Sequence, residues 1–138
     1  MSSFISVSSV NCTTCGPTYY DHTKSNVADF PDQTPENLVN RTLGPRYYEE
    51  GYFGTDTVCL PRSSEADLCA ENVDLFEVTV FGGYPEQIDG LFGLAPVDEK
   101  TGPSYVMQLY NAGSIPSGYF FGYYGAHPNF YDSTFQGK

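Results

Sequence analysis

The cleanest pattern in the chain is the alternation from Leu75 to Phe81. Phe76, Val78 and Val80 fall on one face, and Glu77 and Thr79 on the other. A period of two predicts a half-buried strand. Residues 2–10 read as another strand, with Ile5 and Val7 on one side and Phe4 on the opposite side. Two strand-like runs, 38–43 and 47–60, flank a turn, and 61–72 reads as a charged connection containing Cys69. Gly82-Gly83-Tyr84-Pro85 ends the alternating strand. The apolar segment 88–94 reads as a buried strand end, with close backbone approach at Gly90 and Gly93 and with Leu91 and Leu94 in the core. One short helix is predicted between Pro103 and Ala112, with Val106, Leu109 and Tyr110 at i, i+3, i+4 and Gly113 closing it. Residues 119–124 read as a final aromatic strand, while 11–35 and the tail 125–138 lack periodicity. No repeat or linker divides the chain, so one domain over 1–138 is expected.

Composition sharpens this into a mainly β fold. Twelve Tyr and ten Phe with no Trp make an aromatic core, and 14 Gly and 10 Pro favour turns over helices. The formal net charge of −11 repels phosphate backbones and anionic lipid heads. That argues against nucleic-acid and membrane-surface partners. No apolar run approaches the ~18 residues of a membrane span. Met1-Ser2-Ser3-Phe4-Ile5 lacks the basic start and apolar stretch of a signal peptide.

The four cysteines allow three readings. Zinc wants two closely spaced ligand pairs, and only Cys12-Thr13-Thr14-Cys15 has that spacing. A redox motif should sit between a strand and a helix, but this pair lies in a Thr/Gly/Pro-rich loop. Two local disulfides, Cys12–Cys15 and Cys59–Cys69, account for all four and imply an oxidising compartment. The sequons Asn11-Cys12-Thr13 and Asn40-Arg41-Thr42 agree with that compartment. Nothing calls for a metal or a cofactor.

Several segments, in order, resemble pepsin-like aspartic proteases. Asp89-Gly90-Leu91-Phe92-Gly93-Leu94-Ala95-Pro96 is similar to the family's D-G-[apolar]-[apolar]-G-L-[AS] segment, which packs under the loop carrying a catalytic aspartate. Ser2-Ser3-Phe4-Ile5-Ser6-Val7 resembles the strand that follows Asp-Thr-Gly. Tyr20-Asp21-His22-Thr23-Lys24-Ser25 is similar to [FY]-x-P-x-x-S-S-T without its proline, and Gly51-Tyr52-Phe53-Gly54-Thr55-Asp56-Thr57-Val58 to the flap's outgoing strand. Cys12 to Cys15 falls where members carry a small disulfide loop, and Ser104-Tyr105-Val106-Met107-Gln108-Leu109 and Tyr119-Phe120-Phe121-Gly122-Tyr123-Tyr124 also match. The resemblance implies a partial N-terminal lobe and an aspartic endopeptidase lineage. It implies cleavage between bulky apolar residues at acid pH, in an extracellular, lysosomal or vacuolar setting. It assigns Ser2, Leu91, Phe92 and Gly93 to support of the active-site loop. The flap tyrosine, counted back from Gly51, falls at Gly44, or at Leu43 with one insertion; Tyr47 and Tyr48 come later. These four positions are the candidate peptide-binding residues. The tryptophan that often bonds the flap tyrosine is replaced by Ser6.

Residues 1–138 contain neither Asp-Thr-Gly nor Asp-Ser-Gly. Aspartic proteolysis needs two carboxylates sharing a proton, so no catalytic residue is assigned and the lobe is expected to be inactive alone. A peptide or unfolded protein would be its substrate only if a second lobe completed it. The alternative function is a non-catalytic secreted module that holds a peptide or protein. Asp56-Thr57-Val58 and Asp132-Ser133-Thr134 imitate the motif, but Val58 removes the turn glycine and Asp132 lies in the tail. Asp56 reads as structural, Asp89 as bonding backbone near a turn, and Glu49-Glu50 as a solvated edge. His22 and His127 read as surface loop histidines. Gly90 and Gly93 are not a phosphate loop, because no Lys-Ser/Thr or helix start follows. The 119–124 aromatics read as core rather than as a sugar- or peptide-binding stripe. Without leading strands, open edges beside 2–10 and Leu91 invite self-association.

Overall fold

The computed structural model describes residues 5–61, 66–93 and 104–115. It is mainly β. One mixed sheet is formed by β1 (Ile5–Ser8), β2 (Val39–Thr42), β3 (Tyr48–Leu60), β4 (Leu68–Gly82) and β5 (Gly90–Phe92), in the order β2-β3-β4-β1-β5. Among the described residues one α-helix, α1 (Tyr105–Asn111), packs against β4. Phe4, Leu94, the 119–124 aromatics and the tail 125–138 lie outside the described residues.

The β3–β4 ladder runs from Tyr48↔Gly82 to Leu60↔Leu68, so β4 starts at Leu68 and takes in part of the expected connection. Two bulges divide it. Near Asp56, Thr57 faces two β4 residues, and Asn72 takes a left-handed φ of 54°. Asparagine tolerates that conformation better than most residues. Near Glu50, the register leaves Thr79 without a partner. Side-chain parity therefore changes, and Phe81 rather than Val80 joins Phe76 and Val78 in one apolar cluster. At the end of β4, Gly83 has φ +82°, and a Cβ there would collide with the Arg46 carbonyl.

The opposite face of the sheet gathers Ile5, Ala70, Val73, Leu75, Tyr105 and Leu109. The helix buries Tyr105 and Leu109, whereas Tyr110 is exposed, so its inward face is one residue off the expected one. Ser104 caps α1 by accepting from Met107 N, and the Tyr105 hydroxyl donates to the Val58 carbonyl at 3.0 Å. That bond fixes the rotation of the helix on the hairpin.

Glu77 is fully buried, not on a solvent face. Residues of the 11–35 loop cover it, tied down by Val10 N→Tyr20 O (2.9 Å) and Tyr20 N→Ser8 O (2.7 Å). β1 is also not an edge. It pairs with β4 in parallel and with β5 antiparallel, so among the described residues the outer edges belong to β2 and β5. Close approach at Gly90 is confirmed, because a Cβ there would meet the Ser6 carbonyl.

Leu75→Ala should cost about 2–5 kcal/mol, as expected for a filled core site. Leu91 is only half-buried, so Leu91→Ala should cost distinctly less. Denaturant unfolding of both variants checks this; an equal or larger loss at Leu91 would contradict the layering.

Candidate functional site

Two glutamate carboxylates sit inside the fold, one on each face of the sheet, and Asp56 is buried as well. Glu77 of β4 accepts from Ser9 Oγ (2.8 Å) and from Gln33 Nε2 (3.2 Å), and His22 Nδ1 lies 2.6 Å from its Oε2. The carboxylate is wholly buried, while the imidazole keeps about a quarter of its surface exposed. Asp21 starts the short 3-10 turn His22–Lys24 by accepting from Thr23 N, and His22 stacks on Phe30 with centroids 5.1 Å apart. His22 is therefore a paired structural residue, not a free surface histidine. Its partner is far away in sequence, so no local spacing could have signalled it.

Glu49 of β3 is the second. It is buried, not a solvated edge; Ser6 Oγ donates to its Oε2 at 3.1 Å, and Arg41 Nη1 lies 3.1 Å from the same oxygen. The Arg41 guanidinium covers the Phe76 ring at 4.7 Å and the Phe53 ring at 5.7 Å. Burial pushes the Glu49 carboxyl up, with Arg41 and the Ser6 bond pulling it back. Burial likewise pushes Arg41 down, against the attraction of Glu49. For both groups desolvation is the larger effect. Ser6, expected to lack a flap partner, thus reaches the β2–β3 hairpin through Glu49.

Asp56 is structural. It accepts from Tyr20 OH (2.6 Å), Ser25 Oγ (2.9 Å) and Thr57 N (2.7 Å). Burial, then the Asp56 bond, pushes the Tyr20 hydroxyl far up. Asp89 bonds backbone: its Oδ1 accepts from Thr18 N at 3.1 Å, and its carbonyl from Ser8 Oγ at 2.7 Å.

The hairpin candidates divide. Leu43 N donates to Tyr47 O at 2.9 Å across the β2–β3 turn, where Gly44 has φ +140°. Tyr47 and Tyr48 are exposed, and Tyr47 stacks on Tyr84 with centroids 4.8 Å apart. Leu91 packs against the Phe76 cluster and pairs with Ser6. Phe92 pairs with Ile5, is exposed, and meets the Tyr105 ring edge-on at 5.4 Å. Gly93 is buried. Ser2, His127 and Asp132 lie outside the described residues. Cys12 is bonded to Cys15 and Cys59 to Cys69, the latter pair directly opposite in the β3–β4 register. Asn11 and Asn40 are both exposed. Among the described residues no cluster of His, Cys, Asp or Glu is arranged to hold a metal ion, and no helix is long and apolar enough to cross a membrane. No protein-family model matches the chain, and no curated protein matches it.

Two outcomes are expected. His22→Ala leaves the buried Glu77 with fewer donors and should cost about 1–3 kcal/mol in denaturant unfolding; an unchanged midpoint would contradict the pairing. For Glu49 the sign is set by its raised carboxyl. Between the ordinary value of 4.5 and the higher folded value, the native chain binds more protons than the unfolded chain. This group's contribution to stability therefore rises as pH falls through that window, and its penalty is complete above the folded value. Glu49→Gln removes the titration, so the difference in stability between parent and variant should change with pH across the window. A constant difference in urea midpoints would contradict it.

Proposed function

We propose that this chain is a peptide-holding lobe of the pepsin-like aspartic endopeptidase lineage, unable to cleave peptide bonds alone. One juxtaposition carries the reading. The register Ile5↔Phe92 brings Gly93 beside the beginning of β1. The resemblance expects the Leu91–Gly93 segment to lie there, under the loop that precedes the Ser2 strand. The exposed rings of Tyr47 and Tyr48 support the peptide-holding part, because the hairpin offers an extended segment aromatic surface.

The non-catalytic part follows from what the acids do. Acid catalysis of this kind needs two carboxylates facing each other with split proton affinities. Glu77, Glu49 and Asp56 are each engaged with donors of other residue types. Asp89 serves backbone. None of these carboxylates has another as its hydrogen-bonding partner. The chemistry that remains is recognition, with hydrolysis left to a protein completed by a second lobe. The two disulfides fit an oxidising, extracellular-type environment. We place the chain on the secretory route, outside the cell or in a lysosomal or vacuolar lumen, with glycans at Asn11 and Asn40.

An unfolded protein substrate at acid pH should show no turnover sensitive to a statine-type inhibitor. Calorimetry should show an extended apolar peptide binding, and Tyr47→Ala should weaken that binding by about 5–30-fold, the loss of one aromatic anchor of ~1–2 kcal/mol. Inhibitor-sensitive turnover abolished by Asp56→Asn or Asp89→Asn would overturn the non-catalytic reading. Binding unchanged in the Tyr47 variant would overturn the role of the hairpin.

A further inference from the structure

We infer that the Cys59–Cys69 disulfide is a reducible clasp: its two-electron reduction by a dithiol frees α1 from the sheet and leaves the central strands folded. The bulge near Asp56 interrupts the β3–β4 ladder. Among the described residues three cross-strand pairs follow it, Val58↔Ala70, Cys59↔Cys69 and Leu60↔Leu68. The end of a ladder opens more readily than its middle, because fewer neighbouring bonds hold it. The disulfide joins the central pair of the three and keeps this end closed.

The helix is seated on that end. The Tyr105 hydroxyl lies 3.0 Å from the Val58 carbonyl and 3.4 Å from the Leu68 carbonyl, one on each strand. It keeps both acceptors only while the two strands stay in register. Just past the helix, Ser114 Oγ donates to the carbonyl of Cys69 itself at 2.6 Å. Val58, Leu68 and Ala70 pack in the apolar cluster that holds Tyr105 and Leu109. Both ends of α1 therefore bear on the clasped pairs. One tie reaches across the bulge, from Asp74 N to Gln108 Oε1 at 2.9 Å. The Tyr105 ring also meets Phe92 of β5 edge-on at 5.4 Å, so release of the helix unseats Phe92 as well.

The two disulfides differ in access. Cys59 is exposed on β3. Cys15 packs against the Phe76 cluster, and Cys12 is half-buried with its N–H held by the Ser9 carbonyl at 2.9 Å. Exchange starts at the sulfur a thiolate can reach, and exposed disulfides are the labile ones. One thiolate of the dithiol attacks Cys59 Sγ; a new S–S bond forms and the Cys59–Cys69 bond breaks. Cys69 leaves as a thiolate and takes up a proton. The second thiol, as a thiolate, attacks the reductant's own sulfur in the mixed disulfide, and Cys59 leaves and is protonated in turn. The chain gains two electrons and two protons, and the dithiol becomes a disulfide.

The test treats the full chain with limiting dithiothreitol. Alkylation of the freed thiols, read by peptide mass spectrometry, should find Cys59 and Cys69 labelled while Cys12 and Cys15 stay joined. Hydrogen exchange should then run roughly tenfold faster in α1, with residues 73–78 of β4 unchanged. Reoxidation with glutathione disulfide should restore slow exchange. A double variant, Cys59→Ser with Cys69→Ser, should match the reduced protein and should not respond to dithiothreitol. Reduction of Cys12–Cys15 ahead of Cys59–Cys69 overturns the clasp. So does unchanged exchange in α1 once Cys59 and Cys69 are free, and so does loss of protection in α1 and β4 together. The reduced parent keeps the test decisive even where the double variant does not fold.

Discussion

From Leu75 to Val78 every side chain of β4 is buried, on both faces of the sheet. A strand in that position needs a layer on each side, and the rest of the fold is arranged to supply them. On the Leu75 face the cover is α1 with parts of the 11–35 loop, including Tyr20 and Phe30. On the Phe76 face it is Cys15, Val39, Tyr84, Ile88 and Leu91. The cover on the Leu75 face comes from distant parts of the chain, and that on the Phe76 face from Cys15 and Val39 together with the segment that follows β4. Burial of β4 thus sets the topology, and the two disulfides only tighten stretches already local in sequence.

One of those buried residues is a carboxylate, and that raises the stakes. An ion removed from water must recover several kcal/mol from its neighbours. Glu77 does so with three partners of different types, all from residues 9–33. The 11–35 loop has little regular structure of its own. Its order comes from the demand of Glu77 for donors, from Asp56 holding Tyr20 and Ser25, and from the backbone bonds to β1. The polar contacts inside this face therefore specify where an otherwise irregular segment goes.

How much of this was readable beforehand depended on distance along the chain. Both disulfides were readable because each joins neighbours in sequence. The β2–β3 hairpin and the position of α1 were readable from strand patterning and from proline and glycine at the helix ends. The assignment of faces failed wherever a bulge intervened: alternation placed Val80 with Phe76, and the unpaired Thr79 gives that place to Phe81. Asn72, a residue that commonly breaks strands, sits inside β4 because the bulge there uses its left-handed backbone. Glu77 and Glu49 look like solvated acids in sequence. Only the folded register brings His22 to the first and Arg41 with Ser6 to the second. The hairpin tyrosines and the Leu91–Gly93 segment were singled out through resemblance alone, and their role is a proposal.

The two faces of β2 are linked by one residue. Glu49 is buried without enough neutral donors; Ser6 supplies a single hydrogen bond to Oε2, and among the described residues Oε1 has none. A buried carboxylate in that state requires a cation, and arginine suits it because its planar group also stacks on Phe76 and Phe53. Satisfying Glu49 turns Arg41 inward. That removes the one charge β2 could have shown to solvent, in a chain where basic residues are few against 17 acids. Moving the arginine outward would restore a charged edge and strand the carboxylate, a far larger loss than an exposed charge recovers.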